Sequence, residues 1–240
     1  YANQMLTVLN SLAMRANPDT HPLLAVRGTA KVEVLVVTAD KGLCGGFNTN
    51  IIKKASGFLE EHGGRELTLH LVGRKGRDFF KKRGRTVTGE YVDLFRALKY
   101  EDAARIARDI MKRYIDKDLD AVYLIYNEFK SVIQQRVVVE RLLPLQSLQN
   151  DEMPAAQDYI YEPSPQALFD VLLPRHVEFQ VLRALYESAA AEFGARMSAM
   201  DAATRNADEM INSLTLFMNR VRQATITKEI IEVVSGAEAT

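Results

Sequence analysis

From Phe179 onward the chain places an apolar or small residue at every third or fourth position: Phe179, Leu182, Tyr186, Ala189, Phe193, Met197, Met200, Ala203, Ala207, Met210, Leu214, Phe217, Val221 and Ala224. Steps of three and four residues mark one helix face, and the extra step of four between Phe193 and Met197 resembles a stutter in a coiled coil. After Pro174 there is no further proline, and Gly194 is the one glycine before Gly236. Ser164 suits an N-cap and Pro165 a first helical turn, while Pro174 predicts a kink or a restart. About 60 residues of continuous helix would be roughly 90 Å long. A domain of ~120 residues is only about 27–30 Å across, so such a helix projects beyond it and needs a partner. The stripe favours Ala, Met, Phe and Asn206 over the Ile and Leu of a strong coiled-coil seam, which predicts a slim and modestly stable pairing.

At the other end, Met5, Leu6, Val8, Leu9, Leu12 and Ala13 form a helical stripe already under way at Tyr1, and Asn17-Pro18-Asp19 closes it. We expect an earlier helical segment to precede this stripe, and the two terminal helices to run antiparallel. Between them the pattern alternates. Val32 to Thr38, Leu67 to Gly73 and Asp120 to Tyr126 read as strands, with Arg136 to Leu143 a further apolar run. Asn48 to Glu61, Arg74 to Arg83 and Tyr100 to Lys117 read as helices, the last with Ala103, Ile106, Ala107, Ile110, Met111 and Tyr114 at helical spacing. Strands alternating with helices predict a mostly parallel, Rossmann-like α/β sheet domain over 28–148, inserted between two terminal helices that form a long antiparallel coiled coil. The expected divisions are the end of an N-terminal helix at 1–17, a polar, proline-bearing linker at 149–163 and the long helix at 164–240.

Composition narrows the function classes. Lys plus Arg and Asp plus Glu number 31 each, so net charge is zero and no global field favours nucleic acid or an anionic membrane. A hydrophobic fraction of 47% and a charged fraction of 26% fit a folded protein. The one cysteine, Cys44, excludes an intramolecular disulfide and a Cys-rich zinc site. No apolar run approaches the ~20 residues that cross a bilayer. Metal-ligand spacing is absent, which predicts no metal site, and no paired carboxylates stand apart from solvated helix faces.

The sharpest local motif is Asp40-Lys41-Gly42-Leu43-Cys44-Gly45-Gly46-Phe47-Asn48, between the first strand and a helix. An α/β domain binds phosphate at such a place, on helix N-terminal amides. Its glycines read G-x-x-G-G, which is neither the dinucleotide fingerprint nor a P-loop, and Gly73-Arg74 follows the second strand where an acidic ribose ligand belongs. As an NADP site, Arg74, Lys75 and Arg77 would neutralise a ribose phosphate, giving a Rossmann-type oxidoreductase with an oligomerising helical tail. The plainer alternative is a tight turn whose glycines permit positive φ and close packing. Cys44 as a nucleophile would need a base, and His21, His62, His70 and His176 form no recognisable arrangement with it. A coiled-coil scaffold bridging two partners is a third possibility.

The loop DKGLCGGFN, the segment DYIYEPSP at 158–165, the run Ala195-Arg196-Met197-Ser198-Ala199-Met200 with Ala202 to Ala207, and NRVRQATITKEIIEVVSGAEA at 219–239 together resemble the bacterial F-type ATP synthase gamma subunits. The resemblance spans essentially the whole chain. It implies a non-catalytic central-stalk rotor, peripheral to the cytoplasmic face of the bacterial inner membrane. Its implied partners are the alpha and beta subunits of the catalytic hexamer, the epsilon subunit and the c-ring, with no nucleotide of its own. On this resemblance Arg222, Gln223 and Thr227 hydrogen-bond a loop of beta, Arg196 and Glu232 take part in coupling, and Lys41 lies near the lower end of beta. Tyr159, Tyr161 and Glu162 match the surface facing the c-ring and epsilon. Photosynthetic members carry a dithiol insertion after the strand matching Arg136 to Leu143; here Leu143-Pro144-Leu145 leads into an acidic linker without cysteine, so thiol regulation is not expected.

Overall fold

The computed structural model describes residues 21–132, 134–145 and 165–238. The strand β1 (Lys31–Val37) has six of its seven residues buried, as expected of a near-continuous apolar run covered on both faces. Its side chains divide between two cores. Val32, Val34 and Val36 pack with Ile51, Ala55, Phe58 and Leu59 of helix α1 (Phe47–Glu61). Leu35 and Val37 pack with Ile106, Ala107, Ile110 and Tyr114 of helix α3 (Tyr100–Ile115). The predicted α3 stripe is buried throughout, and Glu101 and Asp102 in its first turn with Lys112 and Arg113 in its last complement the helix dipole.

The remaining elements are β2 (Glu66–Val72), α2 (Arg74–Lys81), β3 (Val87–Tyr91), β4 (Ala121–Phe129), β5 (Gln135–Leu143) and α4 (Pro165–Glu238). The sheet order is β3-β2-β1-β4-β5. Parallel pairing runs from β3 to β4, and β5 closes the edge antiparallel to β4. The mostly parallel α/β architecture is therefore the one the alternating pattern predicts. The edge strand β3 was not foreseen, because it carries Gly89 at its centre, and glycine weakens a strand pattern.

Helix α4 spans 74 residues without a break, roughly 110 Å. Pro174 neither ends nor restarts it. Its neighbours Leu173 and Val177 are fully buried against the α3 face of the sheet, so tertiary packing holds the turn that propensity alone would break. Val181, Ala184 and Leu185 continue this buried face. It is not the predicted seam: Phe179 and Leu182 only border the core, and Tyr186 and Phe193 are more than half exposed. The lower part of the helix thus has two apolar faces, one spent on the sheet. Ion pairs tie it down as well, from Arg183 to Glu140 at 2.6 Å and from Arg108 to the buried Glu178 at 2.7 Å. The helical segment expected at 1–17, and with it the antiparallel pairing, lies outside the described residues, as does the linker expected at 149–163.

Candidate functional site

Where α4 leaves the sheet, two loops close on it. Ala191 joins the α1 side of the core together with Cys44, so the helix passes directly beside the Asp40–Asn48 loop. Arg196 donates through Nη2 to the carbonyl of Gly42 at 3.3 Å and pairs with Glu192, itself buried. A Cβ on Gly45 would stand 4.0 Å from that of Ala199. The hairpin joining β4 to β5 approaches separately, at Gly194, where a Cβ would lie 3.3 Å from Val132 Cα and 3.4 Å from the Phe129 ring.

The loop is cross-tied by Asn48. Its Oδ1 accepts from the Ala39 amide at 2.9 Å, and its Nδ2 donates to the Lys41 carbonyl at 3.2 Å and faces Cys44 Sγ at 3.2 Å. Of the loop's glycines Gly45 alone is left-handed, at φ 54°, and the other left-handed residue is Leu43, at φ 63°. The expectation that the glycines supply the positive φ therefore holds at one of them. This winding turns Cys44 inward and leaves Leu43 75% exposed. Burial, followed by the nearby Glu192 carboxylate, pushes the Cys44 thiol above its ordinary range, so it stays protonated. It is a packed structural thiol.

The turn that follows β2 makes a poor phosphate cradle. The N-terminal amides of α2 are already taken: Arg74 N by Asp40 Oδ1 at 3.0 Å, Lys75 N by the Ala39 carbonyl at 3.1 Å and Gly76 N by Thr38 Oγ1 at 2.9 Å. Arg74 and Arg77, candidates for a ribose phosphate, pair instead with Asp93 at 2.6 Å and Asp78 at 2.8 Å. Nothing in this geometry favours the NADP reading.

Beyond Met200 the helix is exposed through Ala237, apart from a half-covered Asn219. Met210, Leu214 and Phe217 on the predicted stripe are all more than half exposed. So are Leu216 and Val233, and Ile226 nearly so, although at about 100° per residue these lie well off the stripe. A helix apolar on several sides is one that its surroundings enclose. Among the described residues no helix is long and apolar enough to cross a membrane.

The sequence-predicted residues fall at two levels. Lys41 and Arg196 belong to the loop and helix that meet at the exit, with Lys41 exposed and Arg196 half-buried. Arg222, Gln223, Thr227 and Glu232 are exposed on the upper helix, Arg222 being about 39 Å further along the axis than Arg196. Gln223 and Thr227 share a face, the Thr227 hydroxyl donating to the Gln223 carbonyl at 2.9 Å, and Glu232 pairs with Lys228 at 3.5 Å. Tyr159, Tyr161 and Glu162 lie outside the described residues. Sequence reasoning missed Asn48, Glu192 and the Gly194 contact; an isolated glycine within a long helix was the available signal for the last.

The family model described as ATP synthase matches residues 1–240. An ATP synthase gamma chain from Solibacter usitatus is 52% identical over 243 residues, covering 100% of this chain and 84% of that relative. One from a Geobacter species is 47% identical over 241 residues with the same coverage. Among solved structures, a chain of the Euglena gracilis mitochondrial ATP synthase superposes with a TM-score of 0.68 at 20% identity, over 95% of this chain and 82% of that one. A chain from the central stalk and c-ring of the Tetrahymena thermophila mitochondrial enzyme gives a TM-score of 0.62 at 22% identity, over 85% and 96%. These two likenesses are of fold: a small sheet domain carrying one very long helix. The full-length family match and the close relatives agree with that architecture, and the chain belongs to the ATP synthase gamma chain family.

Proposed function

We propose that this chain is the central rotor shaft of a proton-translocating F-type ATP synthase, itself without catalytic residues. The observation that carries the reading is the upper part of α4, exposed and apolar on several sides, which suits a shaft sheathed by a ring of partner subunits. Proton flow turns the c-ring, the sheet domain turns with it, and the asymmetric shaft presents a different surface to each beta subunit in turn. Only contacts that differ between conformations shift a conformational equilibrium, so an eccentric shaft with irregular contacts does what a symmetric one cannot.

In this reading the alpha and beta subunits of the catalytic hexamer surround the upper helix, and the epsilon subunit and c-ring adjoin the sheet domain through Tyr159, Tyr161 and Glu162. Arg222, Gln223 and Thr227 contact beta, and Lys41, Arg196 and Glu232 serve coupling. The chain acts at the cytoplasmic face of a bacterial inner membrane without entering it. Replacing both Arg222 and Gln223 by alanine in the assembled complex lowers coupled ATP synthesis while the isolated chain keeps its melting temperature. Wild-type synthesis in that double variant would refute their coupling role.

A further inference from the structure

We infer that Asn48 is a positioning residue of the rotor, holding the 40–46 loop against the long helix at the point where it leaves the sheet domain; the inference rests on the shaft reading above. Below this level α4 is embedded in the core, and above it the helix is exposed. Torque applied to the sheet domain therefore enters the free helix around residues 192–199, where the loop and the hairpin tip both touch it. The hairpin contributes packing at Gly194, whereas the loop contributes a directed bond, from Arg196 to the Gly42 carbonyl at 3.3 Å.

That carbonyl is in place only while the loop keeps its winding, and the winding is uphill at Leu43, a non-glycine residue at φ 63°. Asn48 opposes the relaxation by tying the loop at its start, Ala39, and in its middle, Lys41, with its amide also against Cys44. Its side chain touches no part of α4 among these bonds. It acts through the backbone that Arg196 reads.

Cys44, 1% exposed, reports the state of the loop, because a maleimide reaches the thiol only when the loop opens. In the complex assembled with its partner subunits, Asn48→Ala should speed Cys44 labelling at least tenfold, corresponding to about 1.4 kcal/mol less for opening. Asn48→Asp, which keeps the acceptor and loses the donor, should fall between the two. Leu43→Gly relieves the left-handed winding without touching a bond of the network and should slow labelling below wild type, so the test does not depend on Asn48→Ala assembling. Protons pumped per ATP hydrolysed should fall in Asn48→Ala. Labelling unchanged in both the Asn48→Ala and Leu43→Gly forms would overturn the inference, as would faster labelling with undiminished pumping. If the wild-type chain itself fails to restore pumping to the partner subunits, the shaft reading fails instead.

Discussion

Gly194 of the long helix lies against Val132 of the β4–β5 hairpin so closely that a Cβ would stand 3.3 Å from the Val132 Cα and 3.4 Å from its carbonyl oxygen. Glycine in a helix interior ordinarily costs about 0.5–1 kcal/mol relative to alanine. Here the missing side chain is what lets two backbones meet. Gly194→Leu should destabilise the full chain by about 1–3 kcal/mol, the range for overpacking. Gly236→Ala, where nothing lies within 4 Å, should be neutral or slightly stabilising. Urea unfolding of both variants checks the contrast.

His176, 5% exposed on the buried face of α4, makes stability depend on pH. Burial, reinforced by the Arg183 charge, lowers its pKa to about 4. The unfolded chain binds that proton near pH 6.5, so the stabilising contribution is present above ~6.5 and is lost as pH falls towards 4. Between pH 7 and pH 5 the loss is about 2 kcal/mol. His176→Gln should remove that portion of the pH dependence, seen as a smaller difference between urea midpoints at the two values.

Glu33 is the hub of a buried network joining β1, β2, β3 and α3. Its Oε1 accepts from Arg113 and Thr88 and lies 3.0 Å from His70 Nδ1, while His70 Nε2 lies 3.0 Å from Asp109 Oδ2. Burial alone would raise the Glu33 carboxyl; hydrogen bonds with His70 and Thr88 and the charges of His70 and Arg113 bring it below the usual range. The contribution is therefore complete above ~4.3, the ordinary glutamate value, and is lost as pH falls below it. Glu33→Leu leaves the Arg113 guanidinium without its carboxylate and takes a hydrogen-bond partner from His70 and Thr88, and should cost about 3 kcal/mol or more. A thermal melt at pH 7 measures it.

Gly89→Ala should be worse still for the β3 edge, since its Cβ would lie 2.2 Å from His70 Nε2 in a fully buried ring. The variant must displace either the strand or the network. Hydrogen exchange of the Val87–Tyr91 peptide should rise at least tenfold, and unchanged protection would count against the clash.

The parallel strands and α3 were legible because each carries its own period: β1 is apolar at nearly every position, and the α3 stripe from Ala103 to Tyr114 is buried as spaced. The strand β3 was not, because Gly89 is there for the sake of His70, a residue far from it in sequence. The site was half legible. Lys41, Arg196 and the Arg222–Thr227 run came from resemblance to a family, while Asn48 and Glu192 acquire their roles only from the loop that folds around them.

By itself the sequence determined that the C-terminal helix is too long for its domain, since helical rise per residue and the spacing of its apolar positions are local properties. Which side of that helix is spent on the core was decided by tertiary structure alone. Two apolar faces overlap between Leu173 and Phe193, and periodicity cannot rank them. The sheet takes the face of Leu173, Val177, Val181 and Ala184 because α3 and β4 offer it complementary packing. Tyr186 and Phe193 are left outward, along the side that continues up the shaft.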